Sequence, residues 1–285
     1  MSRGVDLHLH STCSDGVLAP TALVELLAAS AVGVFALTDH DTIAGQAEAH
    51  AAAARHGLTC LTGIELSARW LGRTVHIVGL GIDPSSGCIE TAIARRRELR
   101  QGRARAIAAR LDRAGAPGGE AFARLAAHET PTRTHFARAL VELGAAADVP
   151  AAFQRWLGRG KPAHVAAEWP ELAATVADIV AAGGAAVLAH PLRYTLSAGQ
   201  RRTLASEFRA AGGAALEVVT GGAAPHQVET ALGLALRAGL EGSVGSDCHD
   251  PSLPWHRPGR LAKLPEAVVP VWKRWELATL RSLEA

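Results

Sequence analysis

The 285-residue sequence predicts an α/β fold, a parallel sheet wrapped by helical crossovers, on three observations. An alanine-rich amphipathic segment, a glycine and a brief apolar run ending in polar residues recur as one phrase along the chain. The apolar runs lack the in-and-out alternation of a half-exposed strand, which suits strands buried on both faces. Histidines and acids arrive at the C-terminal ends of those runs, where the loops of a barrel or open parallel sheet build active sites.

The opening strand is GVDLHLH, residues 4–10. Leu23 to Ala31 then reads as a helix, Gly33 as its stop and VFALTDH as the next strand. Ala44 to His56, Gly57 and LTCLTGIE repeat the phrase, and RTVHIVGL supplies another strand. Val176 to Ala182 with Gly183, Gly184 and AAVLAH follow in kind, as do Gly212 and Gly213 before AALEVV and Gly239 before LEGSVGSDCH. Between about Ile89 and Val165 the rhythm stops. IETAIARRRELRQGRARAIAARLDRAG reads as one long basic helix, with shorter helices around Glu120 to Ala127, Thr134 to Leu143 and Ala151 to Leu157. The expected division is a barrel from 1–98 and 166–285, with a helical insert at 99–165 packed over its mouth. Most arginines from Arg95 to Arg113 are expected on a solvated helix face. VVPVWKRWELATLRSLEA puts Trp272, Trp275, Leu277 and Leu280 on one face of a packed terminal helix.

Composition narrows the function. Hydrophobic residues make up 48% and charged residues 20%, as in a globular chain with a core, and the net charge of +2 gives no basis for bulk binding of nucleic acid. Cys13, Cys60, Cys88 and Cys248 show no C-x-x-C spacing, so neither a disulfide framework nor a thiolate zinc site is expected, and a reducing cytoplasmic setting follows. MSRGVDLHLH lacks the apolar stretch of a signal peptide, and no long apolar run indicates a membrane span. No obligate protein partner is indicated.

His8 and His10, two apart in a strand, point to one face. Asp15 follows in the turn STCSDG, where Gly16 permits a tight backbone path. Asp39, His40 and Asp41, then Glu65, His76, His190, Asp247 and His249 complete six histidines with several carboxylates, too many for one tetrahedral ion and enough for two or three. Imidazole and carboxylate without thiolate suit manganese, iron or zinc, with manganese the first choice. Asp39 and Asp41 flank His40 and read as partners orienting it or neighbouring imidazoles; Asp41 reads equally as a cap for a helix starting near Thr42.

DLHLHSTCSDG, TDHDT, GIE, His76, AHP and GSDCH, in this order, resemble the PHP (polymerase and histidinol phosphatase) domain, a metal-dependent phosphoesterase family related to the amidohydrolases. The resemblance implies a distorted (β/α)7 TIM-like barrel. It also implies a trinuclear site held by His8, His10, Asp15, His40, Glu65, His76, His190, Asp247 and His249, with Asp247, His249 and His190 also catalytic. On the family pattern one ion would take His8, His10, Glu65 and Asp247, the second Glu65, His76 and His190, and the third Asp15, His40 and His249. Glu65 is the expected bridge, because no lysine sits at a strand end to be carboxylated, as the wider amidohydrolase group would need. Such a cluster lowers the pKa of a bridging water from 15.7 toward about 7, so hydroxide for attack on phosphorus is available at neutral pH.

Within the insert, PTRTHFARAL and LGRGKPAHV resemble a subgroup acting on nucleotide phosphates, which implies phosphate contacts from Arg133, Thr134, His135 and Lys161. Arg193, three residues beyond His190, is a further candidate, and Ser11 could also touch substrate. The expected activity is removal of the 3'-phosphate from nucleoside 3',5'-bisphosphates, leaving the 5'-monophosphate. The alternatives are a 5'-to-3' exoribonuclease on short RNA, a histidinol phosphatase, disfavoured because an amino alcohol needs an acidic contact, and a non-catalytic phosphate-binding module, disfavoured because no ligand position is lost.

Overall fold

A computed structural model describes residues 4–275. In chain order it contains β1 (Gly4–Asp6), α1 (Pro20–Ala29), β2 (Val32–Leu37), α2 (Gln46–His56), β3 (Thr59–Trp70), β4 (Arg73–Leu80) and α3 (Gly87–Arg113). These are followed by α4 (Gly118–Arg124), α5 (Arg133–Glu142), α6 (Val149–Ala152), a π-turn at Phe153–Leu157, α7 (Leu172–Ala181), β5 (Ala185–Leu188), α8 (Ala198–Ala210), β6 (Ala215–Thr220), α9 (Pro225–Ala238) and β7 (Glu241–Gly245). Two compact units result, one from 1–92 with 170–285 and one from 93–169, cut a few residues outside the boundaries read from the sequence.

The first unit is an α/β barrel, nearly closed, whose seven strands pair in sequential order. Hydrogen bonds from Leu7 N–H to Val244 O (3.0 Å) and from Asp247 N–H to His8 O (2.8 Å) tie its first and last strands together. All pairings are parallel except those of β4, which runs antiparallel to β3 and β5. This corrects the all-parallel expectation, and the cause is local. Only Leu71 and Gly72 separate β3 from β4, both at positive φ (46° and 69°), which is a hairpin turn too short for a crossover.

In β2 every residue is buried: Val34 and Ala36 face the barrel interior with Val78 and Val187, while Phe35 and Leu37 face Leu23, Leu27 and Ala53 of α1 and α2. Period two thus serves two cores at once, each buried Leu or Phe stabilising by about 1.5–3 kcal/mol. Gly57 and Gly239 stop α2 and α9 in the left-handed conformation. Gly33 does not play that part. α1 ends at Ala29, the chain reverses at Ala31 (φ 57°), and Gly33 lies inside β2.

The helical unit has its own core, in which Ile107, Leu111, Phe136, Leu140 and Leu157 pack. Most arginines from Arg95 to Arg113 are exposed as expected, namely Arg95, Arg97, Arg105, Arg110 and Arg113, but Arg96 and Arg100 are buried and Arg103 half-buried. Their spacing of four and three places them on a single helix face. The terminal segment forms a short 3-10 turn at Val271–Arg274, with Trp272 and Trp275 against the barrel core; Leu277 and Leu280 lie outside the described residues. All four cysteines are free thiols, and no helix among the described residues is long and apolar enough to cross a membrane.

Candidate active site at the strand ends

The site is assembled from residues within β3 and β4 and from loops that follow strands, starting with β1. That strand is shorter than expected, so His8 and His10 lie just past its end, on extended backbone bridged to the far strand through Leu9 and Cys248. Both rings still turn to the same side, with Nε2 atoms 3.1 Å apart. The turn to Asp15 needs Gly16, because a Cβ there would lie 2.4 Å from the His10 carbonyl oxygen. His40 follows β2, Glu65 lies in β3, His76 in β4, His190 just after β5, and Asp247 and His249 after β7. His190 and Asp247 hold positive φ (30° and 54°), a strain of about 1–3 kcal/mol each that the surrounding structure must maintain.

All nine side chains expected from the sequence converge. Glu65 is central: Oε1 lies 3.2 Å from His8 Nε2, 3.1 Å from His76 Nδ1 and 3.2 Å from His190 Nε2, and Oε2 lies 2.7 Å from His40 Nδ1. Asp247 Oδ1 is 3.1 Å from His10 Nε2, and Asp15 Oδ1 is 3.1 Å from His249 Nε2. Donor atoms sharing one cation at about 2.1 Å lie about 3.0–3.4 Å apart, as these do apart from the closer Glu65–His40 pair. Glu65 Oε2 and His76 Nδ1 are buried yet make no aligned hydrogen bond, as expected of atoms aimed at a shared point rather than at each other. Among the described residues, three groups could each hold an ion: His10, Asp15, His40 and His249; His8, His10 and Glu65; and His40, Glu65 and His76. The grouping differs from the family pattern in placing His10 beside Asp15 and His40 beside His76.

Charge is balanced within the cluster. Burial works to raise Asp15, Glu65 and Asp247, but charged imidazoles outweigh it and hold all three well below the usual carboxylate range. Burial works to lower His249, yet Asp15 and Asp247 raise it to about 9, and His8 is raised by Glu217, Glu65 and Asp247 in the same way. His10 is driven down to about 3 by burial and by the charges of His249 and His40. Protons on His8 and His249 thus offset the carboxylates, and a bound divalent cation would displace them.

A further set of side chains braces the loops. Asp39 does not orient an imidazole: it accepts from Ser11 N–H (2.8 Å), Ser11 Oγ–H (2.6 Å) and Ser14 Oγ–H (2.5 Å), pinning the turn between His10 and Asp15. Ser11 is therefore engaged with Asp39. Asp41 is no helix cap, since α2 starts at Gln46; it accepts from Ser67 N–H (2.8 Å) and Ser67 Oγ–H (2.9 Å), holding β3 beyond Glu65. Sequence reasoning missed Asp6, which accepts from Ser246 N–H (2.8 Å), and Tyr194, which accepts from His76 N–H (2.9 Å) and donates to Ala189 O (3.0 Å). It also missed Glu217, 2.6 Å from His8 Nδ1; the available signal was a lone acid in the apolar strand AALEVV. Arg193 is exposed, donating to the Asp247 carboxylate and to Gly221 O.

In the helical unit, Arg133 opens α5 with its guanidinium 5.6 Å from the Phe153 ring. Thr134 and His135 are its neighbours, their N–H groups donating to Thr132 Oγ1, while His135 Nδ1 accepts from Thr132 N–H. Lys161 is exposed in the loop after the π-turn. Arg100 and Arg103, not singled out by sequence, both lie over the Trp169 ring, at 5.2 and 5.9 Å. Burial, then Arg133 and Arg100, lower the pKa of Arg103, and His164 is lowered by burial and by Arg133 and Arg103, so these groups share one region.

Known proteins match this arrangement. The model for the PHP domain matches residues 6–116. The chain is 42% identical to a 5'-3' exoribonuclease of Haemophilus influenzae over 96% of this chain and 100% of the relative. It is 43% identical to a 3',5'-nucleoside bisphosphate phosphatase of Chromobacterium violaceum over 97% of this chain and 98% of the relative. A solved structure of an amidohydrolase from Chromobacterium violaceum, with sulfate and no metal, superposes with a TM-score of 0.89 at 42% identity over 95% of each chain. The chain belongs to the PHP domain family. It is a hydrolase acting on phosphate esters.

Proposed function

We propose that the protein is a metal-dependent phosphatase that removes the 3'-phosphate from nucleoside 3',5'-bisphosphates. The observation that carries this reading is the pairing of two kinds of charged site in one chain. One is a buried cluster with Glu65 at its centre and ligand-like spacing; the other is a gathering of guanidiniums around Arg133. His8, His10, Asp15, His40, Glu65, His76, His190, Asp247 and His249 would hold two or three divalent ions, manganese suiting the donor set, with zinc or iron as alternatives. The chemistry such ions supply when bound is activation of water and neutralisation of charge on the phosphoryl oxygens.

The chain's own residues would then divide the work. Glu65, Asp247 and Asp15 would supply the negative charge that holds the cations, while Asp39 pins the loop of Asp15 and Asp41 holds β3 beyond Glu65. Arg133, with Thr134, His135 and Lys161 from the insert, would grip the 5'-phosphate, and Arg100 and Arg103 would add charge to that grip. The relative named as an exoribonuclease favours a second reading, because the first nucleotide of a 5'-phosphorylated RNA offers the same 5'-phosphate with a 3'-linked phosphate to cleave. A phosphate-release and product panel with manganese, run on adenosine 3',5'-bisphosphate, 3'-AMP, histidinol phosphate and a 5'-phosphorylated RNA trimer, tests both. The bisphosphate should be the best substrate; faster release of mononucleotide from the trimer would transfer the assignment to the exoribonuclease.

A further inference from the structure

Glu217 belongs to no motif that the sequence or the resemblance singled out, yet it touches two of the nine converging residues. It is buried in β6 beside a bulge that separates it from Val219 in the pairing with β7. Oε1 is 2.6 Å from His8 Nδ1, while Oε2 accepts the backbone N–H of His190 at 2.6 Å. On the other side of the His8 ring, Nε2 faces Glu65 Oε1 at 3.2 Å and Asp247 Oδ1 at 3.4 Å. The β7 backbone closes over this pair at Gly245, where a Cβ would lie 2.3 Å from His8 Cβ and 2.9 Å from Glu217 Oε1. One carboxylate therefore orients a side chain that follows β1 and a strained backbone that follows β5.

We propose that Glu217 is a positioning residue for the metal site: by accepting from His8 Nδ1–H it presents Nε2 to the ion, and by holding the His190 N–H it keeps that residue in its left-handed conformation. The inference rests on the reading that His8 and His190 hold metal. A ligating histidine whose second nitrogen donates to a carboxylate is fixed in tautomer and orientation, and loss of such a partner weakens metal binding by about 10–100-fold. The side chain has two acceptor oxygens and uses one for each task. Glutamine has one oxygen, so it could satisfy His8 or His190 but not both.

The test is a manganese titration of the chelator-stripped protein, by calorimetry or competition with a fluorescent chelator, for wild type, Glu217→Gln, Glu217→Ala and Gly245→Ala. Glu217→Ala should raise the Kd of at least one ion by about 10–100-fold, with Glu217→Gln in between. Gly245→Ala, which crowds the pair without removing the carboxylate, should also weaken binding. At saturating manganese, kcat should return much closer to wild type than at limiting manganese, whereas a fold defect would depress it at both. Circular dichroism checks the fold; if Glu217→Ala does not fold, the other two variants carry the test. Wild-type affinity in Glu217→Gln and Gly245→Ala would overturn the proposal. A wild-type protein that takes up no metal would instead overturn the metal reading on which it rests.

Discussion

The barrel rim and the helical insert handle charge in opposite ways. At the rim, acids and imidazoles alternate: Glu65 faces five histidines, Asp247 and Asp15 share His249, and further acids are occupied by serine hydroxyls and backbone N–H groups. In the insert, burial and then the neighbouring charges of Arg133 and Arg100 lower the proton affinity of Arg103, and burial and then Arg100 lower that of Arg133. The rim thus interleaves opposite charges, and the insert gathers like ones. Where charges are already interleaved, removing one member should collapse the set; where they are alike, removing one should weaken a grip by a measurable fraction.

The largest effect belongs to the rim. His10→Ala or Asp247→Ala should lose bound metal and reduce kcat by more than about 10³-fold, since both activation of water and charge neutralisation go with the ions. Metal analysis by mass spectrometry checks the first half and a phosphate-release assay the second. A full metal complement with normal turnover would show that these residues are not ligands. The loss should also appear without mutation. Stripping metal with a chelator should remove about 2.7 kcal/mol of stability for each ion that was present at about 100 times its Kd, a fall in Tm of roughly 4–5 °C per ion for a chain of this size that returns on adding manganese.

That same contrast explains what the sequence disclosed. That nine side chains would converge was legible because histidines and acids recur along successive apolar runs, and because helix, glycine and strand recur clearly enough to locate those runs. Glu217, Asp6 and Tyr194 were not, since they act through neighbours brought close only by folding, such as Ser246 against Asp6. The roles of Asp39 and Asp41 were misread for the same reason: their serine partners lie 25–28 residues away, in the loop after β1 and in β3. The buried stripe of Arg96, Arg100 and Arg103 was hidden by composition, because a helix with so many arginines reads as solvated whichever face is covered. β4 escaped the parallel reading because two residues decide its direction.

The insert should yield smaller and more selective effects. If Arg133 grips a 5'-phosphate, adenosine 3',5'-bisphosphate should exceed 3'-AMP in kcat/KM by about tenfold or more, taking roughly 1.5–3 kcal/mol for a charge-assisted contact. Arg133→Ala should remove that advantage and leave 3'-AMP almost unchanged, while Arg133→Lys should recover part of it, since an ammonium lacks the planar two-point contact. A double-mutant-style cycle over enzyme and substrate isolates the coupling. Equal losses on both substrates would return Arg133 to a structural role.

The smallest effect separates charge from its placement. Thr132 caps α5, its Oγ1 accepting from the N–H groups of Thr134 and His135, and so defines the first helical turn from which Arg133 projects. Thr132→Ala keeps every charge but removes the cap, at about 1 kcal/mol of stability. Were the grip a matter of net charge alone, bisphosphate turnover in this variant would match wild type once the protein is folded. If the helix start sets where the guanidinium sits, KM for the bisphosphate should rise severalfold, with kcat and 3'-AMP turnover unchanged. Thr132→Ser, which retains an acceptor oxygen, should restore both stability and KM; failure of serine to do so would assign the effect to the lost methyl group and not to the cap.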